Sequence, residues 1–471
     1  VRRALRQTAF SFVPATLHYK KIGNTLMSDR SVWNSRLGFI LASAGSAVGL
    51  GAIWKFPYMA GTNGGAVFLI PYIIFSLTLG LALLIGEMCL GRATRAGAAT
   101  AFRRWGGRSC GWIGLVSVFT GFFVLAFYSV VGGWCVHYMI EAFLGRGVTD
   151  APALMRETFG RFAADPVDAV VAHLLFLGAT AGVILFGVEK GIERVSKVLM
   201  PLLFLMMLVL IVRGLTLPGA WEGVKFLFEP NFEAFTGEAL LNALGFSFFS
   251  LSVGSGSMMN YGSYLSDETK IGSSTAWIVF LAMAAAILGG LMIMPAVFAF
   301  GLSPDAGPGL TFATMPAVFA NLPAGQFFAA VFYVCLFVAA ITSSISILEM
   351  SAQYLVDEQG FQKKNAIALT TVILAVLGTL SALSFGVLSD VKLFGKTIFD
   401  LFDYSTSNIG MPIGVLGIAV VCGWIAWPMT RSQLTGNQHW PAWLLQGLRV
   451  VMTIVAPVVI LTVMLKGLGL F

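Results

Sequence analysis

Polar residues along this chain are crowded into the gaps between eleven apolar stretches, at 37–62, 66–91, 113–144, 167–187, 192–215, 238–264, 272–302, 324–356, 366–384, 398–427 and 441–468. Each has about 20 residues or more, the length of a helix that crosses a hydrocarbon core of about 30 Å. A β-barrel would show short alternating segments instead. The pattern therefore predicts an all-α polytopic membrane protein with short loops and one integral domain, because no long polar insert or low-complexity linker divides it. Residues 1–36 are too polar and basic for a cleaved signal peptide and are expected to form a cytoplasmic segment.

Two of these stretches are interrupted in the same way. The string VGLG at 48–51 returns as VGSG at 253–256, 205 residues later, in segments one and six. Five crossings between equivalent points predict two halves of opposite orientation, 37–215 and 216–427, followed by an added helix and the carboxyl terminus at 428–471. Two such strings can also arise by chance among 53 glycines. A break near the bilayer centre, however, frees N–H and C=O groups that lipid cannot satisfy. A substrate carboxylate suits the N–H groups, and a small cation suits the carbonyls. Segment eight brings Thr342, Ser343 and Ser344 to this depth. Such hydroxyls often bond only their own preceding turn, but opposite a broken helix they complete an all-oxygen site for a hard cation.

Composition agrees, with 57% hydrophobic and 11% charged residues. Lysine and arginine number 19 on the side that holds the amino terminus and eight on the other. This places the amino terminus in the cytoplasm and, with eleven crossings, the carboxyl terminus outside. The net charge of +7 then reflects topology, and no nucleic-acid partner is implied. The five cysteines are scattered and the four histidines stand apart, so a metal or nucleophilic catalytic centre has little to be built from. No enzyme and no organic cofactor are expected. A channel would need a continuous polar lining, and the polar clusters lie at one depth.

The run RLGFILASAGSAVGLGAIWKFPYMAGTNGGAVFLIPYI at 36–73 resembles the first two helices of the neurotransmitter:sodium symporter family. FFSLSVGSGSMMNYGSYL in segment six, ITSSISI in segment eight, GIERVSKVLMP in segment five and DLFDYSTSN in segment ten are similar too. The resemblance covers roughly 30–465 and implies the LeuT-type fold, in which helices 1–5 and 6–10 are inverted repeats and helices 1 and 6 unwind at the midplane. It implies that the substrate's carboxylate and amine meet the backbone of Leu50 and Gly51, the Tyr128 hydroxyl, and Phe249 and Ser252, with Ala47 and Ser250 close by. Val124, Phe249, Ser255, Ser343 and Ile347 would line the side-chain pocket. Members often carry a bulky residue where this chain has Ser255, which makes room for a medium or large apolar amino acid.

The same resemblance assigns the second sodium site to Gly45, Val48, Ala339, Thr342 and Ser343, all of which match. At the first site Ala47 and Ser250 are retained, but Ala52 replaces an amide and Leu281 or Ala282 replaces an amide or acid. That site is expected to be degenerate, so one Na⁺ is expected. Lys55 and Asp403 correspond to the outer gate pair, with Tyr128 and Phe249 beneath. Phe246 stands where glutamine often reaches that gate, and the Lys55 ammonium is expected to assume part of the first sodium's electrostatic role. Arg30 and Asp357 correspond to the inner gate pair, braced by Ser263 and Tyr264. Glu87 would hydrogen-bond the broken backbone of segments one and six, and segment five would unwind between Gly191 and Pro201. The implied activity is sodium-coupled import of an apolar amino acid by alternating access, by a monomer or weak dimer in contact with lipid. The alternatives are a sodium-independent or proton-coupled carrier that uses Lys55, and a non-transporting amino-acid sensor.

Overall fold

The structure, a computed structural model, describes residues 31–146, 152–304, 310–436 and 439–470. Arg30 of the expected inner gate lies outside the described residues. Ten helices among those described are long and apolar enough to span a membrane. They are α1 Arg36–Thr62, α2 Ala66–Thr94, α3 Arg108–Phe143, α4 Pro166–Leu185 and α5 Val188–Leu215, then α7 Ile271–Ala299, α8 Gly325–Gln359, α9 Lys363–Leu383, α10 Ile398–Ile425 and α11 Ala442–Gly467. The remaining apolar segment is two shorter helices, α6a Gly237–Ser250 and α6b Ser257–Ser263. The expected all-α, LeuT-type architecture is present.

Both V-G-x-G strings are where helices break. In α1, Gly49 has φ 23° and ψ −168°, and a π-helical turn, Gly51–Lys55, follows. A side chain at Gly49 would also collide with α8, since a Cβ there would lie 2.3 Å from Ser343 Oγ. Between α6a and α6b the chain turns through Ser252, Gly254 and Gly256, with φ values of 54°, 88° and 84°. Ser252 is the unusual member, because a non-glycine residue in the left-handed region is costly and tends to occur at functional sites.

Burial is graded from the centre outward. The apolar windows of α1 and α8 are 83% buried and that of α11 is 22%, so α1 and α8 form the axis and α11 lies at the rim. Exposed Val198, Leu202, Leu205, Val209 and Val212 give α5 an apolar outer face that suits lipid tails.

One expectation needs correction. The connections are not simple loops, since Ala98–Gly106, Pro152–Ala164, Ala220–Phe228 and Met315–Ala320 are helical. The first buries Ala98, Ala99, Ala101 and Phe102 against α3 and leaves Arg103 and Arg104 exposed, a periodicity too short to read as a crossing. In α5, where unwinding between Gly191 and Pro201 is expected during transport, Val188–Glu193 is π-helical and regular helix continues through Pro201 to Leu215.

Candidate functional site

The freed backbone of the α1 break is taken up by three neighbours. Leu50 donates its N–H to Tyr128 Oη of α3 at 3.0 Å. Ser252 Oγ donates to the Ser46 carbonyl at 3.0 Å, which ties the two breaks together. Ser343 Oγ of α8 donates to the carbonyls of Gly45 and Ser46 at 3.2 and 2.8 Å. Ser46 Oγ pairs with Ser346 Oγ at 2.6 Å. Each bond crosses between elements, as polar groups buried away from water require.

The side chains around this junction are buried to different degrees. Val124, Tyr128, Ser255, Ser343 and Ile347 retain 4–8% exposure, whereas Val48, Leu50 and Ala339 have none. Ala47 is 4% exposed, and Phe249 and Ser252 are half-buried. Ser255 Oγ turns back to the Ser252 carbonyl at 3.0 Å and to Ser257 Oγ at 3.2 Å. Gly51 lies under the Phe249 ring, 3.0 Å from Cε1 to the position a Cβ would take, and its N–H bonds the Val48 carbonyl.

The residues expected to hold a cation come together between α1 and α8. A Cβ on Gly45 would lie 3.1 Å from Thr342 Cβ, and Thr342 Oγ1 donates to the carbonyls of Val338 and Ala339 at 3.1 and 3.0 Å. With the Ser343 bonds, this groups carbonyl and hydroxyl oxygens of Gly45, Ala339, Thr342 and Ser343 in the buried interior, while the Val48 carbonyl accepts from the Gly51 N–H. Such donors suit a hard cation.

At the degenerate site, Ser250 Oγ bonds Tyr72 Oη at 3.3 Å and the Ser247 carbonyl at 3.2 Å. Phe246 packs beside it on Phe56, Phe68 and Tyr72, with ring centroids 5.1–5.8 Å apart. The Ala52 carbonyl meets α7 at Gly289, 2.4 Å from the position of a Cβ there. Leu281 lies eight residues earlier, about 12 Å along the helix axis.

The outer gate departs from expectation. Lys55 and Asp403 form no ion pair: the Lys55 ammonium sits 4.0 Å from the centroid of the Phe249 ring, and Asp403 accepts from Ser407 Oγ at 3.1 Å. The π-turn that ends at Lys55 and a cavity of about 290 Å³ beside Lys55, Phe246, Phe249 and Asn408 give the lysine room to turn onto the ring.

On the opposite side, Asp357 accepts from Gln353 Nε2 and from the Gly97 N–H, both at 2.7 Å. Ser263 Oγ donates to the Asn260 carbonyl, while Tyr264 Oη donates to Glu349 at 2.6 Å and Gln353 at 3.2 Å. Glu87 is fully buried and accepts from the N–H groups of Gly254 and Met259 at 3.2 and 3.3 Å. Both bonds go to α6 and its break, and none goes to α1.

Two buried acids were not anticipated. Glu193 of α5 accepts from the Asn34 N–H, Ser35 Oγ and Lys197 Nζ at 2.9, 2.8 and 2.6 Å, and so holds the start of α1. Glu349 of α8 accepts from Tyr264 and from Lys363 Nζ at 2.7 Å. The signal was available, because an ionisable residue inside an apolar segment is the feature that singled out Lys55 and Glu87.

Comparison with known proteins agrees with this geometry. The chain matches the Sodium:neurotransmitter symporter family over residues 30–147 and 168–470. It is 42% identical over 411 residues to an uncharacterised sodium-dependent transporter, YhdH, of Bacillus subtilis, covering 86% of this chain and 90% of that one. It is 31% identical over 416 residues to a sodium-dependent transporter of Methanocaldococcus jannaschii, covering 84% and 82%. The crystal structure of MhsT in complex with L-phenylalanine superposes with a TM-score of 0.85 at 37% identity, covering 93% of this chain and all of that one. With paired breaks in α1 and α6, hydroxyls of α8 across from them, and relatives matched over most of its length, the chain belongs to the sodium:neurotransmitter symporter family.

Proposed function

We propose that the protein imports an apolar amino acid together with one sodium ion by alternating access. The observation that carries this reading is the junction at Gly45 to Leu50, where one broken helix offers an N–H beside Tyr128 and carbonyls beside Ser343. The amino acid's carboxylate would take the N–H side, with Leu50, Gly51 and Tyr128 as partners, and Phe249 would cover it. Its side chain would lie against Val124, Ser255, Ser343 and Ile347. That MhsT has been solved with L-phenylalanine supports an amino acid of this kind.

Sodium would bind at the carbonyls of Gly45, Val48 and Ala339 and the hydroxyls of Thr342 and Ser343. To ligate it, Ser343 must turn its proton aside and present a lone pair, which replaces its bonds to α1 with bonds through the ion. Ala47, Ala52, Ser250 and Leu281 would not hold a second ion, since Ala52 and Leu281 bring no side-chain oxygen and Ser250 Oγ is engaged by Tyr72 Oη and the Ser247 carbonyl. Lys55, free of Asp403, lies one ring away from Gly51 and would supply positive charge toward the carboxylate. On closure of the outer side the ammonium would return to Asp403. We assign the amino terminus to the cytoplasm of a plasma membrane on the distribution of lysine and arginine. On that orientation the inner gate, with Asp357, Tyr264 and Ser263, opens next.

Uptake of a panel of amino acids into proteoliposomes, with sodium, proton and potassium gradients imposed one at a time, tests the reading. Saturable uptake of an apolar amino acid driven by sodium alone is expected. Saturable uptake that ignores sodium would overturn it, and substrate binding without uptake would make the protein a sensor.

A further inference from the structure

One line of polar residues on α8 runs from the proposed sodium site to the inner gate, and its middle members, Ser346, Glu349 and Gln353, have no part in the mechanism above. Thr342, Ser346, Glu349, Gln353 and Asp357 follow at spacings of four, three, four and four residues, which sets them on one helix face. The first four are buried, at 2%, 0%, 1% and 7% exposure, and Asp357 is half-buried near the end of the helix. The stripe spans about 22 Å at the rise of an α-helix. Its partners come from the elements around the α1 break and the inner gate: Ser46 at Ser346, Tyr264 at Glu349, and the Gly97 N–H at Asp357. A buried polar track inside a membrane helix is costly and is retained where it conducts or binds something.

Glu349 is the centre of the track. Oε1 accepts from Tyr264 and Lys363, whereas Oε2 is buried with no hydrogen-bond partner. A bare, buried carboxylate oxygen is the most expensive group on this face and the strongest cation ligand on it. Lys363 reaches the carboxylate from the start of α9 with its side chain 34% exposed, against 1% for Glu349. The lysine can therefore withdraw toward water, and the carboxylate cannot. Its ammonium also donates to Gln353 Oε1 at 2.8 Å, so withdrawal would remove the cation from two oxygens at once and leave them with the Tyr264 hydroxyl alone.

Resting on the sodium symport reading above, we propose that Glu349 is a second, transient site for a monovalent cation, which catches the ion released from Gly45, Thr342 and Ser343 before it reaches the cytoplasm. Ser346 is the intermediate oxygen, six residues separate Ser343 from Glu349, and Lys363 replaces the ion on the carboxylate once it leaves. The lysine thus acts as a tethered competitor that clears the site. An ion pair that merely fastened α8 to α9 would require neither the bare oxygen nor the helical track.

The test is inhibition of substrate uptake by sodium loaded inside proteoliposomes, with outside sodium held constant. Glu349→Gln is expected to need about fivefold or more internal sodium for half-inhibition, while the outside sodium required for substrate binding stays within about twofold of wild type. Glu349→Asp, which keeps the charge, is expected to restore most of the internal response. Lys363→Met removes the competitor and is expected to shift the curve the other way, toward tighter inhibition. If Glu349→Gln does not reconstitute, Lys363→Met carries the test alone. Wild-type internal-sodium curves in the reconstituted variants would overturn the proposal. Wild-type uptake that is indifferent to sodium would instead overturn the symport reading on which it rests.

Discussion

A serine hydroxyl has one proton and two lone pairs, and Ser343 is placed where the balance between them matters. Its proton is directed at the carbonyls of Gly45 and Ser46 in α1, the first of which is also a ligand of the proposed cation. Ser343→Ala keeps the volume nearly unchanged and removes both the bond and the ligand. The sodium needed for half-maximal uptake should rise about tenfold, the effect of losing roughly 1.4 kcal/mol of ion binding. A sodium titration of uptake checks this, and an unchanged midpoint would remove Ser343 from the site. Lys55 permits a second test at this scale. If its ammonium, 4.0 Å from the Phe249 ring, attracts the substrate carboxylate, Lys55→Ala should weaken substrate binding at saturating sodium about fivefold, while Lys55→Arg retains it. Equal affinity in Lys55→Ala would reduce the residue to a gate lysine. The presence of Lys55 and Asp403 was legible in the sequence as charges inside apolar segments. Their separation was not, because whether an ammonium chooses a ring or a carboxylate depends on how a π-turn rotates the side chain.

Among the elements, α5 carries the sharpest constraint. Its Val188–Glu193 turn is π-helical, and a Cβ on Gly191 would lie 2.2 Å from the Val183 carbonyl oxygen. Gly191→Ala must therefore displace backbone, and overpacking of this kind costs about 1–3 kcal/mol. The purified variant is expected to unfold at a lower temperature than wild type and to exchange substrate more slowly, because Glu193 at the end of the same turn holds Asn34 and Ser35 at the start of α1. Thermal unfolding read beside substrate counterflow checks both. Wild-type values in the two assays would show that the turn has no part in transport. The same element marks the limit of sequence reading. A glycine and a later proline in segment five pointed to a place where helix can rearrange, but not to its form, since a π-turn depends on packing against α4 and α1. The breaks in α1 and α6 were legible to the residue because glycine at Gly49, Gly254 and Gly256 adopts backbone angles that other residues resist. The short helices between crossings were hidden for the opposite reason: six to thirteen residues look like loop until the surface that covers them is known.

For the whole molecule the decisive quantity is how much charge moves with each substrate. An apolar amino acid is a neutral zwitterion, so one sodium ion carries one net charge per cycle and two would carry two. The carrier stands at equilibrium when the membrane potential balances the substrate and sodium gradients together. With one ion, a tenfold change in the substrate gradient shifts that potential by about 59 mV, and with two ions by about 30 mV. A tenfold change in the sodium gradient shifts it by the same 59 mV in either case, which provides an internal control. Ser250 is engaged by Tyr72 Oη and the Ser247 carbonyl, Ala52 and Leu281 add no side-chain oxygen, and the proposed cation site lies between α1 and α8, so the larger substrate shift is expected. Reversal potentials measured in proteoliposomes clamped with potassium and valinomycin read it directly. A shift near half that size would mean that a second sodium ion binds despite Ala52 and Leu281, and would require ligands that the substrate itself brings to the site.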